Sequence, residues 1–111
     1  MDAVSSASVT ITLTRYREPD WLVMETLRSL AGQEGVSAEV IFLDQAWRDD
    51  FARSVEALAS PGIRFRCLAC AEKGLSHARN EGLRLAQTTF VLFIDCDAIA
   101  QENWALEMSA A

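Results

Sequence analysis

Val9-Thr10-Ile11-Thr12-Leu13-Thr14 carries no charge and is β-branched at every position except Leu13. That composition suits a strand covered on both faces, and strands covered on both faces belong to parallel sheets flanked by helices. Downstream, Arg15-Tyr16-Arg17-Glu18 breaks the run, and Pro19-Asp20 signals a helix start. Proline's missing N–H costs nothing in a first turn, and an acid there suits the helix dipole. Val23, Leu27, Leu30 and Ala31 then fall at i, i+4, i+7 and i+8, the stripe of a helix that Gly32 and Gly35 end. Upstream, residues 1–7 are small and polar and read as a loose leader.

The same alternation repeats. Glu39-Val40-Ile41-Phe42-Leu43-Asp44 is a second apolar run that ends in an acid, and Phe51, Val55, Leu58 and Ala59 mark a second helix opened by Asp49-Asp50 and stopped by Pro61-Gly62. Ile63 to Leu68 predicts a third strand, a helix after Gly74 carries Ala78, Gly82, Leu85 and Ala86 on one face, and Thr89-Phe90-Val91-Leu92-Phe93-Ile94 predicts a fourth strand. The order β-α-β-α-β-α-β, with helices of about ten residues between strands, requires parallel neighbours joined by right-handed crossovers. The expected fold class is α/β: an open, mostly parallel sheet with helices on both faces, filling one domain over residues 8–111.

Composition narrows the partners. With 111 residues and 50% hydrophobic content the chain can bury a core without disulfides or a structural metal. Sixteen acidic against ten basic residues, net charge −6, set aside nucleic acid and anionic membranes, both of which select clustered Lys and Arg. No stretch approaches a membrane span of ~20 apolar residues, and the N-terminus lacks the basic start of a secretory signal. Cys67, Cys70 and Cys96 cannot all pair within one chain and are expected as free thiols, so a cytoplasmic location is the expectation.

In such sheets ligands bind beyond the carboxyl ends of the strands. The residues there are Thr14-Arg15-Tyr16, Asp44-Gln45, Glu72-Lys73-Gly74 and Asp95-Cys96-Asp97. Two carboxylates one residue apart after an apolar strand repel each other unless a cation neutralises them, and hard oxygen ligands select Mg2+ or Mn2+. The alternative is that one Asp caps the next helix while the other is solvated. Gly74 permits close backbone approach and Ser76 is a candidate N-cap, so the third helix could receive a phosphate, although no Walker or dinucleotide glycine spacing is present. Arg79 could reach that phosphate or could pair with Glu81 or Asp97. Cys67-Leu68-Ala69-Cys70 has zinc or redox spacing but lacks a second close pair, so packing as small apolar residues is the preferred reading. His77, the sole histidine, has no nucleophile elbow near it and is read as a surface or pocket-rim residue.

Taken in order, the run Val9 to Tyr16, Leu27-Arg28-Ser29-Leu30 with Gln33, Glu39 to Asp44, Gly74 with Ala78-Arg79-Asn80-Glu81-Gly82-Leu83, and Phe93-Ile94-Asp95-Cys96-Asp97 resembles family 2 glycosyltransferases of the GT-A fold, over about residues 8 to 108. The resemblance implies that Thr14 and Tyr16 hold a nucleotide base, the tyrosine by stacking, and that Asp44 helps bind the nucleoside. It implies that Gly74 and Arg79 close over the nucleotide. Asp95 and Asp97 match the family's Asp-x-Asp, with the second carboxylate on Mn2+ or Mg2+ and the first facing the ribose. The implied donor is a nucleotide sugar, with a UDP-sugar the foremost candidate. Gln45 stands where the family places a second acid, and a glutamine carbonyl accepts a hydrogen bond from a base N–H more weakly than a carboxylate does. The acceptor-binding half of the family follows the Asp-x-Asp, and Glu102 and Glu107 come too soon to match its general base, so no catalytic base is assigned. The resulting expectation is a donor-binding half of an inverting, metal-dependent transferase, truncated or completed by another polypeptide. The alternative from another class is a non-catalytic α/β interaction module, a homo-oligomer or heteromer through Trp104, Leu106 and Met108.

Overall fold

The computed structural model describes residues 8–70 and 75–110, with the backbone alone for Leu75 and Ser76; the leader read at residues 1–7 lies outside them. Along the chain run β1 (Val9–Arg15), α1 (Asp20–Ala31), β2 (Ala38–Asp44), α2 (Asp49–Glu56), β3 (Ile63–Ala69), α3 (Leu75–Leu85), β4 (Phe90–Phe93) and α4 (Trp104–Ala110). The strands form one sheet in the order β3-β2-β1-β4, and every pairing is parallel. β1 is central and buried at every position except Thr14, in accord with its uncharged, β-branched sequence.

Two successive crossovers step outward from β1 to β2 to β3, whereas α3 carries the chain back across the sheet to β4. Right-handed connections that move in opposite directions place their helices on opposite faces. Val9, Ile11 and Leu13 of β1 accordingly pack with Val23, Leu27 and Leu30 of α1, Phe51 and Val55 of α2, and Ala105 of α4. On the other face Ile41 and Leu43 pack with Ala78 of α3, joined by Leu68, Cys70 and Leu85.

Three differences from the sequence expectation have local causes. β1 extends to Arg15, because its Cα partner on β2 is Asp44 and the two side chains pair. β4 is limited to Phe90–Phe93, the segment that pairs with β1. Pro19 sits at the N-cap of α1, extended at φ −69° and ψ 154°, and its carbonyl accepts the Leu22 and Val23 N–H groups; Asp20 opens the helix proper.

Gly82 sets how closely α3 approaches the sheet. A Cβ there would lie 3.0 to 3.2 Å from three side-chain atoms of Thr12, a buried residue of the central strand. Gly82→Ala gains about 1 kcal/mol of helix propensity but crowds a stiff β-branched side chain, which costs about 1–3 kcal/mol. The expected net effect is a loss on the order of 1 kcal/mol, read from the urea midpoint. An unchanged or raised midpoint would mean that α3 rides freely above Thr12.

Candidate functional site

Because β2 and β4 lie on opposite sides of β1, the strand order reverses at the carboxyl end of β1, where doubly wound sheets leave a crevice. A cleft of about 950 Å3 opens there, within the range of small-molecule sites. Thr14, Tyr16, Gln45, Arg79, Asp95 and Asp97 all line it, so six residues named from sequence converge on one surface. Asp44 does not line it, and Gly74 lies outside the described residues.

The Asp95 carbonyl accepts the Ala98 N–H at 3.1 Å, which closes Asp95-Cys96-Asp97-Ala98 into a turn. Both Asp residues are exposed, whereas Cys96 between them is 4% exposed and packs into the core. The turn is held from behind by α1. The Thr26 hydroxyl donates to the Cys96 carbonyl at 2.9 Å, Ser29 Oγ accepts the Ala100 N–H at 3.0 Å, and Gln33 donates to the Gln101 carbonyl at 2.6 Å while accepting the Ala105 N–H at 2.8 Å. Thr26 and Ser29 on α1 and Gln33 just beyond its C-cap form a polar row that fixes the backbone of residues 96–105. The sequence reading assigned these polar residues no such role, although buried polar groups require partners.

The β1–α1 loop is stapled by Glu18, whose Oε1 accepts the Tyr16 N–H at 2.9 Å and the Arg17 N–H at 3.1 Å. Burial opposes charge on Glu18, but these backbone bonds and a hydrogen bond from the Cys96 thiol outweigh it and hold the carboxyl below its ordinary range. Glu18 therefore fixes the backbone of the Tyr16 loop. Tyr16 is 44% exposed at the cleft, with the Arg17 guanidinium 4.8 Å from its ring centre.

Arg79 projects from α3 into the cleft, 5.8 Å from the Phe93 ring. Its candidate partner Glu81 is occupied by Arg84 at 2.8 Å, and among the described residues Arg79 makes no ion pair. Trp104 and Glu107 of α4 close the far wall.

The acids at the turn fit a hard divalent cation only in part. Among the described residues no cluster of three or more His, Cys, Asp or Glu could hold a metal ion. Two exposed carboxylates on one turn match the sites in which Mg2+ or Mn2+ takes one or two protein ligands and completes its shell with phosphate oxygens and water. Cys67 lies in the core with its thiol pushed up to about 12, by burial first and then by Glu56 and Asp44. His77 is exposed on α3.

Residues 10–110 match the family model described as glycosyl transferase family 2. The chain is 30% identical over 89 residues to the succinoglycan biosynthesis protein ExoO of Rhizobium meliloti (strain 1021), covering 80% of this chain and 25% of that protein. Among solved structures it is similar to the mannosyltransferase PcManGT from Pyrobaculum calidifontis in complex with GDP-Man and Mn2+, at 27% identity and a TM-score of 0.69, over 88% of this chain and 30% of that one. It is likewise similar in fold to S. aureus TarS 1-349, at 24% identity and a TM-score of 0.72, over 93% of this chain and 31% of that one, a protein also solved with UDP. The chain thus spans about a quarter of the length of the curated relative it matches.

Proposed function

We propose, since this chain belongs to glycosyl transferase family 2, that its cleft binds the nucleotide sugar used for inverting transfer to an acceptor hydroxyl. The observation that carries this reading is the convergence of Tyr16, Arg79, Asp95 and Asp97 at the β1/β4 switch point. In this reading Thr14 and Tyr16 hold the base, with the tyrosine ring as a stacking platform, and Asp95 faces the ribose. Gly74 and Arg79 close over the diphosphate. Asp97, with Asp95, would hold Mn2+ or Mg2+, which when bound supplies a Lewis acid that offsets charge on the leaving diphosphate. The complexes of PcManGT with GDP-Man and Mn2+ and of TarS with UDP support the ligand class. Among the described residues no helix is long and apolar enough to cross a membrane.

A nucleoside diphosphate at a hundred times its Kd is expected to add about 2.7 kcal/mol of stability. UDP or GDP should therefore raise the melting temperature of the chain by about ten degrees with Mn2+ present and by far less without it. A folded sample that no nucleoside diphosphate stabilises, with or without Mn2+, removes this reading.

One observation favours the interaction module as a second reading. β4 pairs on one side only among the described residues, and Phe90, Leu106 and Met108 are exposed. An open edge of this kind invites a partner strand or a second copy. Sizing chromatography of nucleotide-free chain decides it, because a clean monomer that binds nucleotide leaves the module without support.

A further inference from the structure

We infer that Thr26 and Ser29 of α1 are positioning residues for the acidic turn, and that the Thr26 hydroxyl sets the divalent-cation affinity of Asp97 without touching the cation. The inference rests on the nucleotide-sugar reading above, in which Asp95 and Asp97 hold Mn2+ or Mg2+. Regular structure stops short of this turn. The last bond to the neighbouring strand runs from the Ile94 N–H to the Thr12 carbonyl at 3.1 Å, and from residue 94 to residue 103 the chain belongs to no strand or helix. The bond from the Ala98 N–H to the Asp95 carbonyl closes the turn, but it leaves the central peptide, Cys96–Asp97, free to tilt. Tilting that peptide is what separates the two common turn forms, and it carries the residue after it, Asp97, to a different backbone angle.

Thr26 fixes that tilt. Its side chain is fully buried, and its hydroxyl donates to the Cys96 carbonyl, the oxygen of the central peptide, at 2.9 Å. A threonine inside a helix ordinarily bonds a carbonyl of its own helix, whereas this one reaches a residue seventy positions along the chain. Ser29 makes the second hold. It donates to the Thr26 carbonyl at 2.6 Å and accepts the Ala100 N–H at 3.0 Å, so two hydroxyls one helical turn apart clamp the loop. Neither residue lines the cleft, and both act on it through the backbone.

The consequence for a cation follows from how few ligands the protein offers. With two exposed carboxylates on one turn, the direction of each carries a large share of the site, because Mg2+ and Mn2+ hold their ligands in fixed octahedral directions. Asp97 has no positive φ, which is the turn form that the present direction of the Cys96 carbonyl accompanies. Thr26→Val keeps the branched shape but leaves that carbonyl buried without its donor. An unmade buried acceptor is relieved by tilting the peptide, and the tilt turns Asp97 away from its partner acid.

The test is Mn2+ binding to the whole chain at saturating UDP, followed by the electron paramagnetic resonance signal of free Mn2+, with a melting curve for each variant. Thr26→Val is expected to weaken Mn2+ about tenfold or more, the usual effect of losing a group that orients a metal ligand. Thr26→Ser returns the hydroxyl and should bind within about threefold of the parent. Val55→Ala, at a buried position on α2, should lower the melting temperature and leave the Mn2+ affinity unchanged, which separates positioning from lost stability. Should Thr26→Val fail to fold, Ser29→Ala at its half-buried position decides: a loss of about threefold or more is expected, and an unchanged affinity overturns the inference. A folded Thr26→Val within about twofold of the parent, or a Thr26→Ser as weak as Thr26→Val, overturns the inference and leaves the nucleotide site standing. A parent chain that binds no Mn2+ in the presence of UDP overturns the metal part of the nucleotide-sugar reading and this inference with it.

Discussion

Arg15→Ala is expected to cost about 3–5 kcal/mol of folding stability, because it strands the Asp44 carboxylate, 2% exposed, without its cation. Natural domains have only about 5–15 kcal/mol in total, so the variant should melt more than ten degrees lower or fail to accumulate folded. Several contacts concentrate in this one residue. Arg15 bonds Asp44 through two nitrogens, pairs with Asp20 through a third, and lies against the Phe51 ring. Burial opposes its charge, and Asp44 followed by Asp20 more than offset that, so the guanidinium stays ionised at every working pH. Replacing both members, as Arg15→Met with Asp44→Leu, removes the stranded charge and should recover most of the loss. Thermal denaturation of the three chains checks this. An Arg15→Ala midpoint within a degree or two of the parent would mean that water or another cation reaches Asp44.

The same cluster gives the acid side of the stability profile. Asp20 is shared between Arg48 and Arg15, and hydrogen bonds from Arg48 first, then Arg15, hold its carboxyl below the ordinary range against the opposing effect of burial. A carboxyl depressed in the folded state contributes fully above its unfolded pKa of about 3.9, and the contribution fades as pH falls through the lower folded value. The stabilisation is therefore intact at neutral pH and lost in acid. Asp20 is 41% exposed, so this part is modest beside the buried Asp44 contact.

Arg15 also marks the limit of what the sequence allows. Uncharged β-branched runs and helical stripes report burial of each element against its own neighbours, which is why the strands, their order and the strand-end ligand edge were legible. The pairing of Arg15 with Asp44 depends on the lateral register of two strands whose residues lie twenty-nine positions apart, and no local pattern encodes it. Arg15 therefore read as a break after the strand when it is the strand's buried last residue. Gly82 was legible as a member of the inner face of α3, but its contact with Thr12 needs the crossover in place. Of the site residues, Tyr16, Asp95 and Asp97 were legible because strand ends converge by topology alone, and Arg79 because it lies on the helix that follows the third strand end. Glu18 was not, because its role as a staple arises from how a four-residue loop folds back on its own N–H groups.

Asp97→Ala should abolish the Mn2+-dependent part of nucleotide stabilisation while leaving the unliganded folding stability within about 0.5 kcal/mol of the parent, as expected for an exposed residue. The two halves of this expectation have separate grounds. Asp97 is exposed and makes no ion pair among the described residues, so its removal strands nothing in the folded chain. The turn that presents it is built by backbone bonds, from Ala98 N–H to the Asp95 carbonyl and from Thr26 to the Cys96 carbonyl, and those survive the substitution. What the carboxylate contributes is charge at the mouth of an acidic turn. Without it a divalent ion bound at this turn would keep at best one protein ligand, and a bound diphosphate would lose the cation that neutralises it against Asp95 and Glu18 on the same cleft wall. If half or more of the stabilisation by nucleotide at a hundred times its Kd, about 2.7 kcal/mol, depends on Mn2+, at least tenfold in affinity should disappear. Asp97→Asn keeps shape and one oxygen ligand but removes the charge, so it should fall between the parent and Asp97→Ala. The readout is the melting temperature with UDP, with Mn2+ and with both, for all three chains. A Mn2+-dependent shift that survives intact in Asp97→Ala would place the cation elsewhere and deny this turn its proposed role, whatever the nucleotide does.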